Sequence, residues 1–418
     1  MARFYPTTIV ALGVIVVLVI FFITVPKLKK TADELDQAKK HIIQKDDVNA
    51  LPKKEKLQDI REEVAEVKQR RRDKLDKNLD VDFNKVRVEN VENPKGDGGS
   101  EAVDDDYDEA DPDHSDNSVI KVMVSSDNKT LGGLVAAVNS IWQNTNAHVK
   151  FYLLVDEVSV PHLRKWIQQT ELSDIDYVLK AFNESLVKNK IKVRDARQDL
   201  GSPLNFARYY FPLVFPSIEG RLIFIDADSI VQGDIQELWD THLEPGHAAA
   251  FSDDCSSISH RSNLVQTKYM DFLNFKNPTI KALNLSPMAC SFNTGVYVID
   301  VKEWKKQKIT EQLDRWLALN SFEELYGTQR GGGNSGPPFY IVFYNKYTHM
   351  SPAWNVRYLG LTPGTRYSDS FVKSAKLLHW NGPFKPWGRT AQHTDEWDKY
   401  YISDPTGKFK VVRMYGNI

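Results

Sequence analysis

Asp226 and Asp228, separated by Ala227 in the stretch RLIFIDADSI (Arg221 to Ile230), are the residues of this chain that most clearly ask for chemistry. They follow four consecutive apolar residues, Leu222 to Ile225, the pattern of a strand buried on both faces, and such a strand does not end in paired negative charge unless something positive meets it. On an extended segment the i, i+2 spacing directs both carboxylates to one side. Two hard oxygen ligands side by side suit magnesium or manganese, with coordination positions left for water or substrate phosphates. An Asp-x-Asp pair is also a common acidic turn, so a second feature is needed. It comes from AKLLHWNGPFKPWG (Ala375 to Gly388), where an apolar strand-like run leads to His379, then Gly382 in a turn, then Lys385. An imidazole can complete an oxygen-rich site for a borderline cation such as manganese, and a nearby lysine can neutralise phosphate. By itself His379 would read as a satisfied core histidine; beside the aspartates the set is coherent.

The elements that position these residues read as an α/β domain. Val119 to Val124 (VIKVMV) predicts a strand, Ser125 to Lys129 a polar turn, Leu131 to Gln143 a helix, Phe151 to Val155 a second strand and Pro161 to Thr170 another helix. Strand and helix alternating at this spacing argue for a parallel, doubly wound sheet. Ligands of such sheets sit at the carboxyl ends of the strands, which singles out Ser125-Ser126-Asp127-Asn128 and Asp226-Ala227-Asp228. No GxGxxG follows the first strand and no GxxxxGK occurs, which disfavours a dinucleotide fingerprint and a P-loop. The 418 residues, 41% hydrophobic, carry a formal charge of only -2, so no nucleic-acid partner is expected.

Before this domain the chain changes character. Thr7 to Val25 is uncharged and, at about 1.5 Å per residue, just spans a hydrocarbon layer of about 30 Å, so it reads as a membrane anchor after a tail of residues 1–6. Lys27, Lys29 and Lys30 outnumber Arg3, which favours a cytoplasmic domain by the positive-inside tendency. The triplets Asn128-Lys-Thr, Asn183-Glu-Ser and Asn284-Leu-Ser are N-glycosylation acceptors usable only in the secretory lumen. Residues 26–117 form a charged stem and an acidic linker. Leu57, Ile60, Val64 and Val67 trace a short apolar seam that suits a homodimeric stalk or a solvated single helix. The stretch 93–117 is acidic, rich in Gly and Pro, and reads as a disordered linker. Cys255 and Cys290 could form one bridge in an oxidising lumen or remain buried thiols.

Four blocks, FARYYFP, IFIDADSIVQGDIQELW, SFNTGVYV and LLHWNGPFKPWG, resemble in that order the family 8 retaining glycosyltransferases, over about Ser118 to Phe409. The resemblance implies a single Rossmann-like nucleotide-sugar-binding domain of GT-A type over residues 118–411, with a mostly parallel mixed sheet flanked by helices and a short tail at 412–418. It implies that Asp226, Asp228 and His379 bind Mn2+ against the diphosphate of a UDP-sugar, with Lys385 and Gly382 on the phosphates. Asp127 and Ser126 would meet the uracil, Arg208 would lie near the donor, and Asn293 and Thr294 would contact the donor sugar. Asp253 or Asp254 would match the acid that faces the sugar hydroxyls. The blocks HAAAF and SFNTG would both fall on the donor-sugar side of the sheet, which would bring Cys255 and Cys290 close enough to bridge. The implied reaction retains the anomeric configuration, the departing phosphate oxygen taking the proton of a glycan or glycoprotein acceptor. The implied setting is the Golgi membrane, type II, with a lumenal catalytic domain. One departure stands out: Pro337-Pro338 fall where family members carry an Asp-Gln pair near the sugar. Two readings follow, a manganese-dependent hexosyltransferase and a catalytically silent nucleotide-sugar-binding Golgi protein that acts as an interaction partner.

Overall fold

The computed structural model describes residues 119–194, 197–255, 267–327, 334–361 and 367–413. The tail, anchor, stem and linker expected over residues 1–117, and most of 412–418, lie outside the described residues. Among the described residues no helix is long and apolar enough to cross a membrane.

Strand β1 (Ile120–Ser126) runs two residues further than its apolar run suggests and leads through a turn into helix α1 (Leu131–Gln143), whose bounds are those expected. The turn is built by Asp127: its Oδ1 accepts from the backbone N–H of Lys129 at 3.0 Å and of Thr130 at 3.2 Å, an arrangement that gives the chain a local alternative to strand pairing. β2 (Val149–Val155) follows, then helix α2 (Val160–Gln168) with Pro161 in its first turn, where a missing N–H costs nothing. β3 (Asp176–Ala181), β4 (Arg221–Asp226), β5 (Ser229–Val231), β6 (Ala249–Asp253) and β7 (Phe292–Asp300) come next. Helices α3 (Ile309–Phe322) and α4 (Gly336–Val342) precede the short strands β8 (Thr348–His349) and β9 (Leu377–His379).

Seven strands form one sheet in the order β3-β2-β1-β4-β7-β6-β8. β1 pairs parallel with both β2 and β4, while β7 runs antiparallel to β4 and β6. The result is the mixed, mostly parallel sheet that was expected. From β1 the chain winds outward to β3 on one side and continues to β4 on the other, so the carboxyl ends of β1 and β4 lie side by side at the switch point, with Ser125 opposite Asp226. β5 and β9 make a separate antiparallel pair in which Ser229 faces His379.

The core packs α1 and α2 against the parallel half of the sheet through Val122, Val124, Leu134, Val138, Trp166 and Ile225. A second cluster of Ile230, Leu378, Trp380 and Trp397 lies beneath the C-terminal segment. Helix α1 comes unusually near the turn after β4. A Cβ on Gly133 would stand 2.5 Å from the Ala227 carbonyl oxygen and equally near the Trp387 ring. Glycine is required there by backbone approach, and the backbone approached carries Asp226 and Asp228. Gly133→Ala is therefore expected to destabilise the domain by about 1–3 kcal/mol through overpacking. The check is the midpoint of chemical denaturation; an unchanged midpoint would show that the helix can stand off from the turn freely.

Candidate functional site

A cleft of about 770 Å³ opens at the switch point. Its walls come from the end of β1 and the following turn, the turn after β4, the start of β7, the N-terminus of α4 and the residues after β9. Asp226 is the last residue of β4, but Asp228 sits in the two-residue turn that leads into β5. The extended i, i+2 geometry expected from the spacing is thus replaced by a turn. The carboxylates still converge, because β5 is pulled against β9 and the Trp380 N–H bonds the Asp228 carbonyl at 2.9 Å.

One ligand atom each from Asp226, Asp228 and His379 lies within 4.8 Å of the others. His379 Nε2 is 3.1 Å from Asp228 Oδ1 and 3.8 Å from Asp226 Oδ2. Two side-chain cations flank the pair. Arg208 donates from Nη2 to Asp226 Oδ1 at 2.5 Å, and Lys385 Nζ bonds Asp228 Oδ2. Burial would push Asp228 up, yet Lys385 and His379 outweigh it and hold its carboxyl well below the usual range. For Asp226, burial and the adjacent Asp228 charge prevail over Arg208 and push its pKa up. The donor set fits a small divalent cation: two hard carboxylates, and an imidazole whose Nδ1 is already engaged at 3.0 Å by Asn355 Oδ1. The wall beside it is kept open by Gly295, where a Cβ would fall 2.6 Å from Asp226 Oδ2 and against the His379 ring.

Arg208 is buried, not a surface residue of its segment. Besides Asp226, its guanidinium donates to the Thr294 carbonyl at 2.7 Å and the Asn205 carbonyl at 3.1 Å, and it lies 4.4 Å over the Phe224 ring. Ser126 and Asp127 line the cleft at the end of β1. The Ser126 hydroxyl pairs with that of Thr130 at 2.8 Å, and Asp127 Oδ2 accepts from Ser202 at 3.3 Å. Asn293 and Thr294 line the opposite wall, with Asn293 Oδ1 accepting from the Gly295 N–H at 2.9 Å. Gly382 adopts φ +120°, and a Cβ there would collide with the Gly360 carbonyl, so the turn toward Lys385 is open only to glycine.

The structure separates the two acids left undecided by sequence. Asp253 turns to His349, its Oδ2 3.0 Å from Nδ1, and is not among the residues lining the cleft. Asp254 does line it. Asp254 is nonetheless saturated: its oxygens take hydroxyls from Thr267, Ser291 and Tyr358 and the buried guanidinium of Arg357. It is a wall of the cleft with both carboxylate oxygens already engaged. Cys255 and Cys290 are joined, with Cα atoms 5.8 Å apart, and the bridge places Asp254 beside Ser291 as expected of the two flanking blocks. Pro337 and Pro338 are buried in the first turn of α4, and Ser335 and Gly336 face the cleft in front of them.

The family description "Glycosyl transferase family 8" matches residues 101–391. The chain belongs to this family. Among similar proteins, human glycosyltransferase 8 domain-containing protein 1 is 45% identical over 303 residues, covering 72% of this chain and 81% of that one. Mouse glycosyltransferase 8 domain-containing protein 2 is 45% identical over 296 residues, covering 70% and 84%. Among solved structures, the galactosyltransferase LgtC in complex with donor and acceptor sugar analogues aligns with a TM-score of 0.51 at 15% identity, covering 69% of this chain and all of that one. The bifunctional glycosyltransferase WbbM aligns at 0.51 with 20% identity over 71% of this chain and 52% of its own. At these identities the structural matches speak for the fold, which is the GT-A-like α/β arrangement of glycosyltransferases.

The family 8 site also contains residues that no motif announced. Asn355, Arg357 and Tyr358 sit in SPAWNVRYLG, a stretch with no strand period and no spacing to the aspartates, and Gly295 lies within SFNTGVYV, where residue type alone gives it no role. Their roles depend on contacts with segments more than sixty residues away. Asp254→Ala, which leaves the Arg357 guanidinium buried and unpaired, is expected to cost about 3–5 kcal/mol of stability. Chemical denaturation checks this, and a loss under about 1 kcal/mol would mean that Asp254 is not the closed structural acid described.

Proposed function

We propose that this family 8 chain transfers a hexosyl group from a UDP-sugar to a glycan or glycoprotein acceptor, with Mn2+ as its metal. The observation that carries the reading is the convergence of Asp226, Asp228 and His379 with Lys385 and Arg208 at the switch-point cleft. In this proposal Asp226, Asp228 and His379 hold the ion, which when bound supplies Lewis acidity to a diphosphate leaving group. Lys385 places a mobile positive charge at the same end of the cleft, and the backbone around Gly382 can approach phosphate oxygens without a Cβ in the way. Asp127 Oδ1 is occupied by its own turn, so Oδ2 is the oxygen available to an N–H on the uracil edge, with Ser126 beside it. Arg208 keeps Asp226 in place and leans on the Thr294 carbonyl, so it organises the donor side of the site through its neighbours. Asn293 still has its amide nitrogen to offer a sugar hydroxyl. With both Asp254 oxygens engaged, no protein base stands out on the sugar side among the described residues, which agrees with retention in which the departing phosphate oxygen accepts the acceptor's proton.

The second reading, a nucleotide-sugar-binding partner without transfer, is favoured by one observation: Pro337-Pro338 are buried in the first turn of α4, behind Ser335 and Gly336, and supply no polar side chain to the cleft. We also place the domain in the lumen, behind a type II anchor in the Golgi. The Cys255–Cys290 bridge and the exposed Asn128, Asn183 and Asn284 support that placement.

The deciding experiment is UDP release from a panel of UDP-sugars by the purified protein with Mn2+. Release above background with at least one donor is expected; binding of UDP-sugar with no release for any donor would favour the silent reading. In the same assay Asp228→Asn, which keeps size and removes a ligand charge, should weaken Mn2+-dependent UDP binding at least about tenfold, or about 1.4 kcal/mol. Equal affinity by calorimetry would remove Asp228 from the metal site. Lys385→Ala should lower kcat by on the order of 10² to 10³ while changing the donor KM much less, since its charge matters most as the leaving group gains charge. A mutant with unchanged kcat and KM would leave Lys385 as a structural partner of Asp228 only.

A further inference from the structure

We propose that Asn355 is a positioning residue that fixes the tautomer of His379, acting through a relay of two side-chain amides anchored on the backbone of Gly295. The inference rests on the metal reading given above and adds residues to it that no motif supplied.

Amide and imidazole orientations are ordinarily ambiguous, because oxygen and nitrogen can be exchanged without moving the side chain. Here one fixed donor resolves all of them. The Gly295 backbone N–H can only donate, and it meets Asn293 Oδ1 at 2.9 Å; the atom of Asn293 facing it must therefore be the oxygen. That same oxygen is 3.0 Å from Asn355 Nδ2 and uses its second lone pair there. With its nitrogen so used, Asn355 turns its carbonyl oxygen to His379 Nδ1 at 3.0 Å. A carbonyl oxygen only accepts, so Nδ1 carries the proton. The neutral ring then has its lone pair on Nε2, the nitrogen that stands 3.1 Å from Asp228 Oδ1 and 3.8 Å from Asp226 Oδ2. In the neutral ring these are three acceptor atoms facing one another, which a cation among them reconciles; in the charged ring a second proton on Nε2 bridges to Asp228 in its place.

The relay is held on rigid parts. Asn355 is buried, at 2% exposure. The next residue, Val356, accepts from the His379 N–H at 2.9 Å and donates to the Leu377 carbonyl at 3.0 Å, so the segment carrying Asn355 lies alongside β9. Asn293 opens β7, and Gly295 follows it on the same strand. The segments that meet at His379 are thus fixed by backbone bonds before any side chain is considered. Outer partners of this kind fix which nitrogen of a ligating histidine is free, and their loss generally costs about 10- to 100-fold in metal affinity.

The test uses Mn2+ itself and two readouts that do not require turnover. Mn2+ affinity is measured by calorimetry on the intact protein. Proton placement on His379 is read by 15N NMR of histidine-labelled, metal-free protein at a pH above the ordinary histidine range, with His379→Gln for assignment. Asn355→Leu keeps volume and removes the acceptor: a fall of about 10- to 100-fold in Mn2+ affinity and a shift of the proton away from Nδ1 are expected. Asn355→Asp retains an oxygen facing Nδ1 and should keep both the affinity and the proton placement. Wild-type affinity and an unchanged nitrogen pattern in Asn355→Leu would overturn the proposal. Should that variant not fold, Asn293→Ala, in which Asn355 loses the anchor of its amide, decides the matter in the same spectrum, and unchanged proton placement there sinks the relay. A wild-type protein that binds no Mn2+ would defeat the metal reading, while the nitrogen spectrum would still judge the relay separately.

Discussion

The pairing of Ser229–Val231 with Leu377–His379 is the contact on which the rest of the site depends. It is a ladder of only three residue pairs, standing apart from the main sheet, and it joins segments about 150 positions apart. Its register decides everything downstream. With Ser229 opposite His379, the preceding Asp228 falls beside the imidazole, and the Trp380 N–H closes on the Asp228 carbonyl. A slip by one residue would turn His379 to the other face, because side chains alternate along a strand. The fold protects that register by burying Ile230 and Leu378 together with Trp380 and Trp397. The hydrophobic cluster therefore does chemical positioning at a distance: it holds a histidine against two carboxylates that local sequence brings only to the same turn.

Two carboxylates so close cannot share a buried turn without compensation, and the chain provides it in two different forms. Arg208 is planar and fully committed, bonded to Asp226 and to two carbonyls, and it behaves as part of the scaffold. Lys385 is a point charge on a flexible stem at the rim, where it pairs with Asp228 and touches the Trp380 carbonyl at 3.2 Å. The distinction follows the chemistry of the two side chains, a rigid fork that loses little on being fixed and an ammonium that can be re-aimed. In the proposed reaction that division of labour is useful, since one acid must stay oriented throughout while charge near the other changes.

Sequence made legible whatever is local or carries strong residue preference. The apolar run before Asp226, the bounds of Leu131–Gln143, the turn at Asp127 and the glycine at position 382 could all be read because each reflects a periodicity or a φ that few residues allow. The Asp-x-Asp and the histidine were found by type, and the choice between Asp253 and Asp254 was not. Both are short acids at the end of β6, and what separates them is a β-bulge near Ser252 together with a guanidinium and three hydroxyls arriving from other segments. Nor could the spacing show that Asp228 sits in a turn. That geometry is imposed by β9, and a pattern of alternating residues carries no information about a partner strand so far along the chain. Asn355 was invisible for the same reason: asparagine in a loop is ordinary, and only its neighbours make it specific.

The distribution of charge in the cleft gives the strongest physical constraint on what the site can favour. At the end where the proposed reaction puts the sugar, Asp254 is neutralised by Arg357 and roofed by hydroxyls. At the other end Asp226, Asp228, His379, Lys385 and Arg208 concentrate both signs within a few bond lengths. Interactions accelerate a reaction only where they strengthen as the transition state is reached. In breakage of a bond between a sugar and a diphosphate, the leaving oxygen is where negative charge grows, and the residues able to respond to it sit at that end. In the proposed reaction a wall neutralised in this way would act on shape and hydroxyl pattern without opposing the positive character that the sugar ring acquires. The two prolines at the start of α4 are buried behind Ser335 and Gly336, so in the proposed reaction they would bear on the sugar side before they bear on the leaving group, because the groups that would meet the leaving group are held by β4, β5 and β9.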